Sequence, residues 1–343
     1  MSRSGSPDIY SGLRPLLFRL DPEAAHHRTL DMLRVLGGIS LGRRMLRGLA
    51  GPPPAGQAVE CLGLLFSHRL GLAAGYDKDG IALRGLSCLG FSHVEVGTVT
   101  PAPQPGNARP RLFRLEQDRA LINRLGFPSR GALAVERALR ADRPPGVVIG
   151  VNLGKGADTP LEGAAQDYLS LVQTFRPLAD YLAVNVSSPN TLGLRRLQSR
   201  EHLEQLLRQI RHLLADGSDR RPPLLVKLAP DLTEQELEDA LGACVGRADG
   251  VIASNTTTSR PSLQGRHAGE AGGLSGSPLF PLALEQVKRI VRRSEGRLVV
   301  IGCGGVSSAD EMRAMVDAGA SLVQIYSALV FQGPRVVRRM LRA

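Results

Sequence analysis

The 343-residue chain has no Trp, only four Cys, four Lys and six Asn, and no apolar run approaching the ~18 residues of a membrane span. Without Trp, eight Phe and five Tyr leave little surface for stacking bases, which argues against a nucleic-acid-binding role despite a net charge of +11. Cys61, Cys88, Cys244 and Cys303 form no C-x-x-C pair. That excludes a disulfide framework and a zinc site of the usual spacing, and it favours a reducing compartment. The first ten residues lack an apolar h-region, so no signal peptide is expected and the chain should stay on the cytoplasmic side.

What remains is ordinary for a globular protein: 43% hydrophobic and 22% charged residues. The basic residues are unevenly chosen, with 39 Arg against Lys78, Lys155, Lys227 and Lys288. A lysine kept against that bias can present a compact charge where a guanidinium fork does not fit.

Residues 1–58 read as a small helical module with eight Arg and four acids. Ser11 is a candidate cap for a helix carrying Leu13, Leu16, Leu17 and Leu20 on one face. Asp21-Pro22-Glu23 is a second helix start, and Leu41, Met45, Leu46 and Leu49 mark a third helix with Arg43, Arg44 and Arg47 between them. The module either packs on the main domain or lies on a membrane surface. Gly51, Pro52, Pro53, Pro54, Ala55 and Gly56 then read as a linker.

From residue 59 to 343, eight apolar β-type runs alternate with helical patterns, at 70–77, 93–99, 147–153, 181–187, 224–228, 250–255, 298–302 and 322–326. Near-continuous apolar runs fit parallel strands covered on both faces, and eight of them fit a (β/α)8 barrel. A doubly wound sheet is the alternative, but no G-x-G-x-x-G follows an early strand. The stretch 100–129 is too long for a simple βα loop and reads as a functional insertion.

Active sites of such barrels sit at the carboxyl ends of the strands. There the sequence places Asn152, Asn185, Asn190 and Asn255, with Asn123 in the insertion and Lys78 and Lys227 facing the same mouth. Buried amides need partners, and a set of them suits a flat ring whose edge alternates donors and acceptors, such as a pyrimidine-dione or a flavin. The first six strand ends offer no His, Cys or paired carboxylate, which argues against zinc, glycosidase and thiol chemistry. Glycine-rich turns at 272–276 and 302–305, with Tyr326 and Ser327, supply backbone N–H groups for a phosphate-bearing cofactor.

At these residues the chain resembles the dihydroorotate dehydrogenases, specifically the membrane-associated, quinone-dependent class. The resemblance rests on GLAAGYDKDG at 71–80, EVGTVTPAPQPGNARPRLFRL at 95–115, INRLGF at 122–127, NVSSPNTLGLR at 185–195, GGLSG at 272–276 and LVQIYSAL at 322–329, and LFRLDPEAAHH at 17–27 also fits. It implies an FMN-bound barrel, one non-covalent FMN per chain, oxidising dihydroorotate to orotate in pyrimidine synthesis. Ser188 would be the base, assisted by Thr191, with Phe127 excluding solvent. FMN would be held by Ala74, Gly75, Tyr76, Asp77, Lys78, Thr98, Asn152, Asn185, Lys227, Ser254, Gly276, Gly305, Tyr326 and Ser327. Substrate would meet Lys78, Asn123, Arg124, Leu125, Gly126, Phe127, Asn185, Asn190, Asn255 and Thr256. Electrons would pass to a membrane quinone from a monomer attached peripherally to the cytoplasmic face of a bacterial cell membrane. Ser254 stands where Thr is common in the family, and Cys303 where an aliphatic residue is expected. Two other readings compete: another FMN barrel, such as a hydroxy-acid oxidase or isomerase, and a non-catalytic basic binding protein. A yellow purified protein would remove the second.

Overall fold

The structure is a computed structural model and describes residues 9–191, 193–216 and 221–342. Residues 1–8 and Leu192 of the NVSSPNTLGLR motif lie outside the described residues. Helices α1 (Ile9–Phe18), α2 (Pro22–Gly38) and α3 (Ser40–Ala50) come first, followed by a hairpin of β1 (Val59–Cys61) and β2 (Leu64–Phe66). Next are β3 (Leu70–Leu72), α4 (Leu83–Ser87), β4 (His93–Val99), β5 (Leu112–Leu115), β6 (Ala120–Asn123), α5 (Ala132–Ala141) and β7 (Val148–Leu153). The middle holds α6 (Ala164–Phe175), β8 (Tyr181–Asn185), α7 (Arg200–Ala215), β9 (Leu224–Leu228), α8 (Glu234–Cys244) and β10 (Gly250–Ala253). The chain closes with β11 (Gly273–Gly276), α9 (Phe280–Ser294), β12 (Val299–Cys303), α10 (Ala309–Asp317), β13 (Leu322–Ile325), α11 (Ser327–Gln332) and α12 (Val336–Leu341).

Strands β3, β4, β7, β8, β9, β10, β12 and β13 pair in parallel, and β13 returns to β3 to close the barrel. All eight expected runs are therefore barrel strands. Their outward residues, such as Val94, Val151 and Val226, pack under the helices, while Ala183, Leu225, Ile252 and Ile301 fill the interior around Phe66 from the β1–β2 hairpin. The insertion is not a loose loop: β5 and β6 form a hairpin that β11 extends to a three-stranded antiparallel sheet.

Local chemistry explains most helix boundaries. Asp21 accepts from the Ala24 N–H with Pro22 in the first turn, and Thr233 and Glu236 form a reciprocal cap on α8. Ser11 does not cap α1, which already runs from Ile9. The Tyr10 hydroxyl donates to the Val330 carbonyl, which ties the first turn of α1 to α11.

The N-terminal helices have two apolar faces. Leu30, Leu33, Leu46 and Ala50 join the main core, whereas Leu13, Leu16, Met32, Val35, Ile39, Leu41 and Met45 are exposed. The sequence pattern had grouped Leu41, Met45 and Leu46 on one side, but they divide between the faces because Gly42, Leu46 and Ala50 form the inward stripe.

One buried pair fastens this module to the insertion. Glu23 accepts from Arg111 at 2.7 Å and from Arg109 at 3.0 Å. Burial raises the Glu23 pKa, but Arg111 and Arg109 outweigh it and hold the carboxyl at about 2. A depressed carboxylate pKa contributes stability above its unfolded value of 4.5 and loses it as pH falls towards 2. Glu23→Gln is thus expected to lower stability at pH 7 by about 3 kcal/mol, the lower range for breaking a buried pair. Denaturant unfolding at pH 7, 5 and 3 should show the difference from the parent chain shrinking with acid. A pH-independent difference would contradict the assignment.

Candidate active site

The carboxyl ends of the barrel strands open into one cavity. Ala74, Gly75, Lys78, Thr98, Asn185, Ser188, Asn190, Lys227, Ser254, Asn255 and Thr256 line it, with Asn123, Leu125, Gly126 and Phe127 from the insertion. Gly276, Gly305, Tyr326 and Ser327 line the other side. Four expected residues stand elsewhere. Tyr76 packs edge-on between His26 and Tyr326, and Arg124 pairs with Glu270. Asp77 turns away to accept from the N–H groups of Ile81 and Ala82, a turn that leaves Lys78 facing the cavity. Asn152 lies fully buried behind Thr98 and Asn185.

Beneath the cavity floor is a polar centre that the sequence reading missed. Glu95, the one carboxylate in β4, is fully buried and accepts from Asn152 Nδ2 at 2.8 Å, Tyr181 OH at 3.0 Å and Gln324 Nε2 at 2.8 Å. Lys227 Nζ lies 3.9 Å from the same carboxylate. A charge inside an apolar strand needs such partners, and its presence in the run 93–99 was the available signal. Above it the amides form a lattice. Thr98 Oγ1 donates to Asn152 Oδ1 at 2.6 Å, and Asn185 Nδ2 donates to both. Asn255 Nδ2 donates to Ser187 Oγ at 2.9 Å, and Asn190 Nδ2 to Asn123 Oδ1 at 3.1 Å. Asn107 joins from outside by donating to the carbonyls of Arg124 and Asn190, so four of the six Asn line the cavity and the other two, Asn107 and Asn152, support that lattice.

Ser188 is buried, and its Oγ accepts from the Asn190 N–H at 3.2 Å. Thr191 Oγ1, on the same loop, is buried without a partner. Burial pulls the Lys78 ammonium below the ordinary lysine value, countered by Asp79 and Glu23. Cys303, at the end of the seventh barrel strand, lines the cavity wall. Burial pushes its thiol up, which keeps it protonated and unsuited to nucleophilic work. Lys155 is buried elsewhere, donating to the carbonyls of Gly156 and Thr159, and Lys288 sits half exposed beside Glu285.

A flavin nucleotide fits these features. Gln324 lines the cavity with a buried Oε1 that has no partner, an acceptor awaiting a ligand donor. Gly305 adopts φ +74°, and a Cβ there would lie 2.3 Å from the Phe280 nitrogen, so only glycine lets the backbone after β12 turn here. The 272–276 turn contributes less free backbone than expected, because β11 pairs with β6 and the Leu274 N–H is used by Thr257.

Residues 57–343 match the family model described as Dihydroorotate dehydrogenase. The chain belongs to the dihydroorotate dehydrogenase family. A dihydroorotate dehydrogenase (quinone) of Roseiflexus castenholzii is 49% identical over 335 residues, covering 97% of this chain and 91% of that protein. Another, from Azoarcus sp., is 46% identical and covers 98% of each. Among solved structures, the crystal structure of a dihydroorotate dehydrogenase from Eimeria tenella in complex with ferulenol superposes with a TM-score of 0.85. It is 35% identical and covers 95% of this chain and 92% of that one. The family's barrel thus frames the Ser188 loop, the two lysines and the amide lattice described above.

Proposed function

We propose that this dihydroorotate dehydrogenase oxidises dihydroorotate to orotate for pyrimidine synthesis, holds one FMN per chain and delivers the electrons to a membrane quinone. The observation that carries this reading is the buried Ser188 at a cavity bordered by a lattice of Asn amides and by Lys78 and Lys227. Ala74, Gly75, Thr98, Lys227, Ser254, Gly276, Gly305, Tyr326, Ser327 and Gln324, through its unpartnered Oε1, would hold FMN. When bound, FMN supplies the acceptor for the hydride that leaves C6 of the substrate. Ser188 Oγ takes the C5 proton, and the C5–C6 bond becomes double. A serine hydroxyl is a weak base on its own, so its proton must be passed on, and the buried, unpartnered Thr191 Oγ1 lies three residues along the loop. Asn123, Asn190, Asn255 and Thr256 orient the flat ring of the substrate. Lys78 attracts its carboxylate, and Phe127 shields the base from water.

Residues 1–58 form the access module in this reading and residues 59–343 the catalytic barrel. No helix among the described residues is long and apolar enough to cross a membrane. Attachment would therefore be peripheral, through Leu13, Leu16, Met32, Val35, Leu41 and Met45 entering the interface of the cytoplasmic leaflet while Arg residues meet its headgroups. The cavity also reaches Leu112, Tyr326 and Phe331, and Phe18 of α1 packs on Phe331, giving an apolar path towards that face. Deleting the module would strip Leu30, Leu33, Leu46 and Ala50 from the core, so outward substitutions are the cleaner test.

The protein, a monomer in this reading, should be yellow, and acid should release about one FMN per chain; FAD or no flavin would overturn the cofactor assignment. Replacing Leu16, Val35, Leu41 and Met45 together by Ser should leave reduction by dihydroorotate and reoxidation by soluble dyes within about twofold, since none touches the cavity. Co-sedimentation with anionic vesicles, and reoxidation by long-chain quinone within them, should both collapse. Unchanged quinone turnover would leave the module a packing element only.

A further inference from the structure

Just outside the cavity, one guanidinium joins three of the loops that build it. Arg195 Nε donates to the Ser187 carbonyl at 3.1 Å, and its Nη2 donates to the Thr256 carbonyl at 3.4 Å. The same Nη2 lies 3.0 Å from Asp231 Oδ2, on the loop after β9. Asp231 in turn accepts from the Thr257 hydroxyl, from the Thr258 N–H at 3.1 Å and from the Thr258 hydroxyl at 3.3 Å. The short helical turn carrying Arg195 is itself tied to the end of β9, because the Ala229 N–H donates to Gln198 Oε1 at 2.9 Å. Neither Arg195 nor Asp231 lines the cavity.

We propose that the Arg195–Asp231 pair is a positioning device for proton transfer, locking the loop that carries Ser188 against the loop that carries Asn255 and Thr256. The proposal rests on the reading of Ser188 as the base. Its physical basis is the geometry of the fork. Fixing the Ser187 carbonyl fixes the peptide plane from which Ser188 departs, and fixing the Thr256 carbonyl holds the loop that brings Asn255 and Thr256 to the cavity. A planar guanidinium donates in several set directions at once, whereas a lysine ammonium could keep the ion pair but not both carbonyls. The carboxylate of Asp231 provides the counter-charge and extends the clamp to Thr257 and Thr258. A shift of about 1 Å in a reacting group can lower a rate ~10²-fold without touching the reacting atoms.

The test is anaerobic stopped-flow reduction of the FMN-loaded protein by dihydroorotate, with Arg195→Ala, Arg195→Lys and Asp231→Asn, each alone and combined with Ser188→Ala. The expected result is an unchanged FMN-to-protein ratio and a reduction rate lowered about 10- to 100-fold in both Arg195 variants. Asp231→Asn should be milder. Substrate deuterated at C5 should show a larger isotope effect in the Arg195 variants than in the parent, while deuteration at C6 should not. Added guanidinium should restore part of the rate in Arg195→Ala and none in Arg195→Lys. In the Ser188→Ala background, removing Arg195 should change the residual rate less than twofold. Effects that multiply instead, or an Arg195→Lys protein reduced at the parent rate, would overturn the positioning role. If Arg195→Ala loses FMN or stability, Arg195→Lys and Asp231→Asn decide the matter by the same two criteria. If Ser188→Ala itself is reduced at the parent rate, the base assignment fails first, and that outcome is distinct from failure of the clamp.

Discussion

Ser188→Ala is expected to keep its FMN and to be reduced by dihydroorotate at least ~10²-fold more slowly than the parent chain, the lower range for loss of a positioned general base. Flavin binding should survive because Ser188 anchors no other element: its Oγ only accepts from the Asn190 N–H. The cavity side of the loop would lose a hydroxyl and gain no clash. Ser188→Cys should retain more activity, since a thiol at that place can still exchange a proton. Single-turnover reduction followed at the flavin absorbance separates the two variants. A near-parent rate for Ser188→Ala at neutral pH would assign the base elsewhere.

The second large effect is expected at Lys227. This lysine and Glu95 are both buried, 3.9 Å apart, and the carboxylate already holds three hydrogen bonds from Asn152, Tyr181 and Gln324. Lys227→Met leaves that carboxylate inside the barrel with no cation, which should cost about 3–5 kcal/mol of stability and most of the bound flavin. Lys227→Arg should fail as well, because the planar fork has no room between the floor and the ligand that the cavity would hold. Adding Glu95→Gln to Lys227→Met should recover much of the stability, since it removes the stranded charge, but not the reduction rate. Denaturant unfolding and flavin content read the two effects separately. Lys288→Arg, on the exposed side of α9, should be silent. If Lys227→Arg and Lys288→Arg were tolerated equally, the scarcity of lysine in this chain would carry no chemical meaning.

The barrel was legible because its strands are covered on both faces, so each reads as an apolar run whatever its neighbours. The β5–β6–β11 sheet was not, since its strands are four residues each and its third strand comes from 150 residues further along, within a glycine-rich turn. At the site, residue type and strand end located Ser188, Lys227 and the amides. They did not tell which way neighbours on one loop point, which is why Asp77 and Arg124 were expected at the cavity and instead hold a turn and an ion pair. Glu95 and Gln324 lay inside apolar strands, where hydrophobic periodicity hides a single inward polar residue. Arg195 is the last residue of the 185–195 motif, and no spacing rule shows that its guanidinium reaches loops after three different strands.

The most direct measurement is an anaerobic titration of the purified protein with dihydroorotate in the absence of any acceptor. The account predicts that the flavin absorbance bleaches fully, that one orotate forms per flavin reduced, and that added quinone restores the colour. A flavin that stays oxidised with excess dihydroorotate, in a folded and FMN-loaded protein, would contradict it.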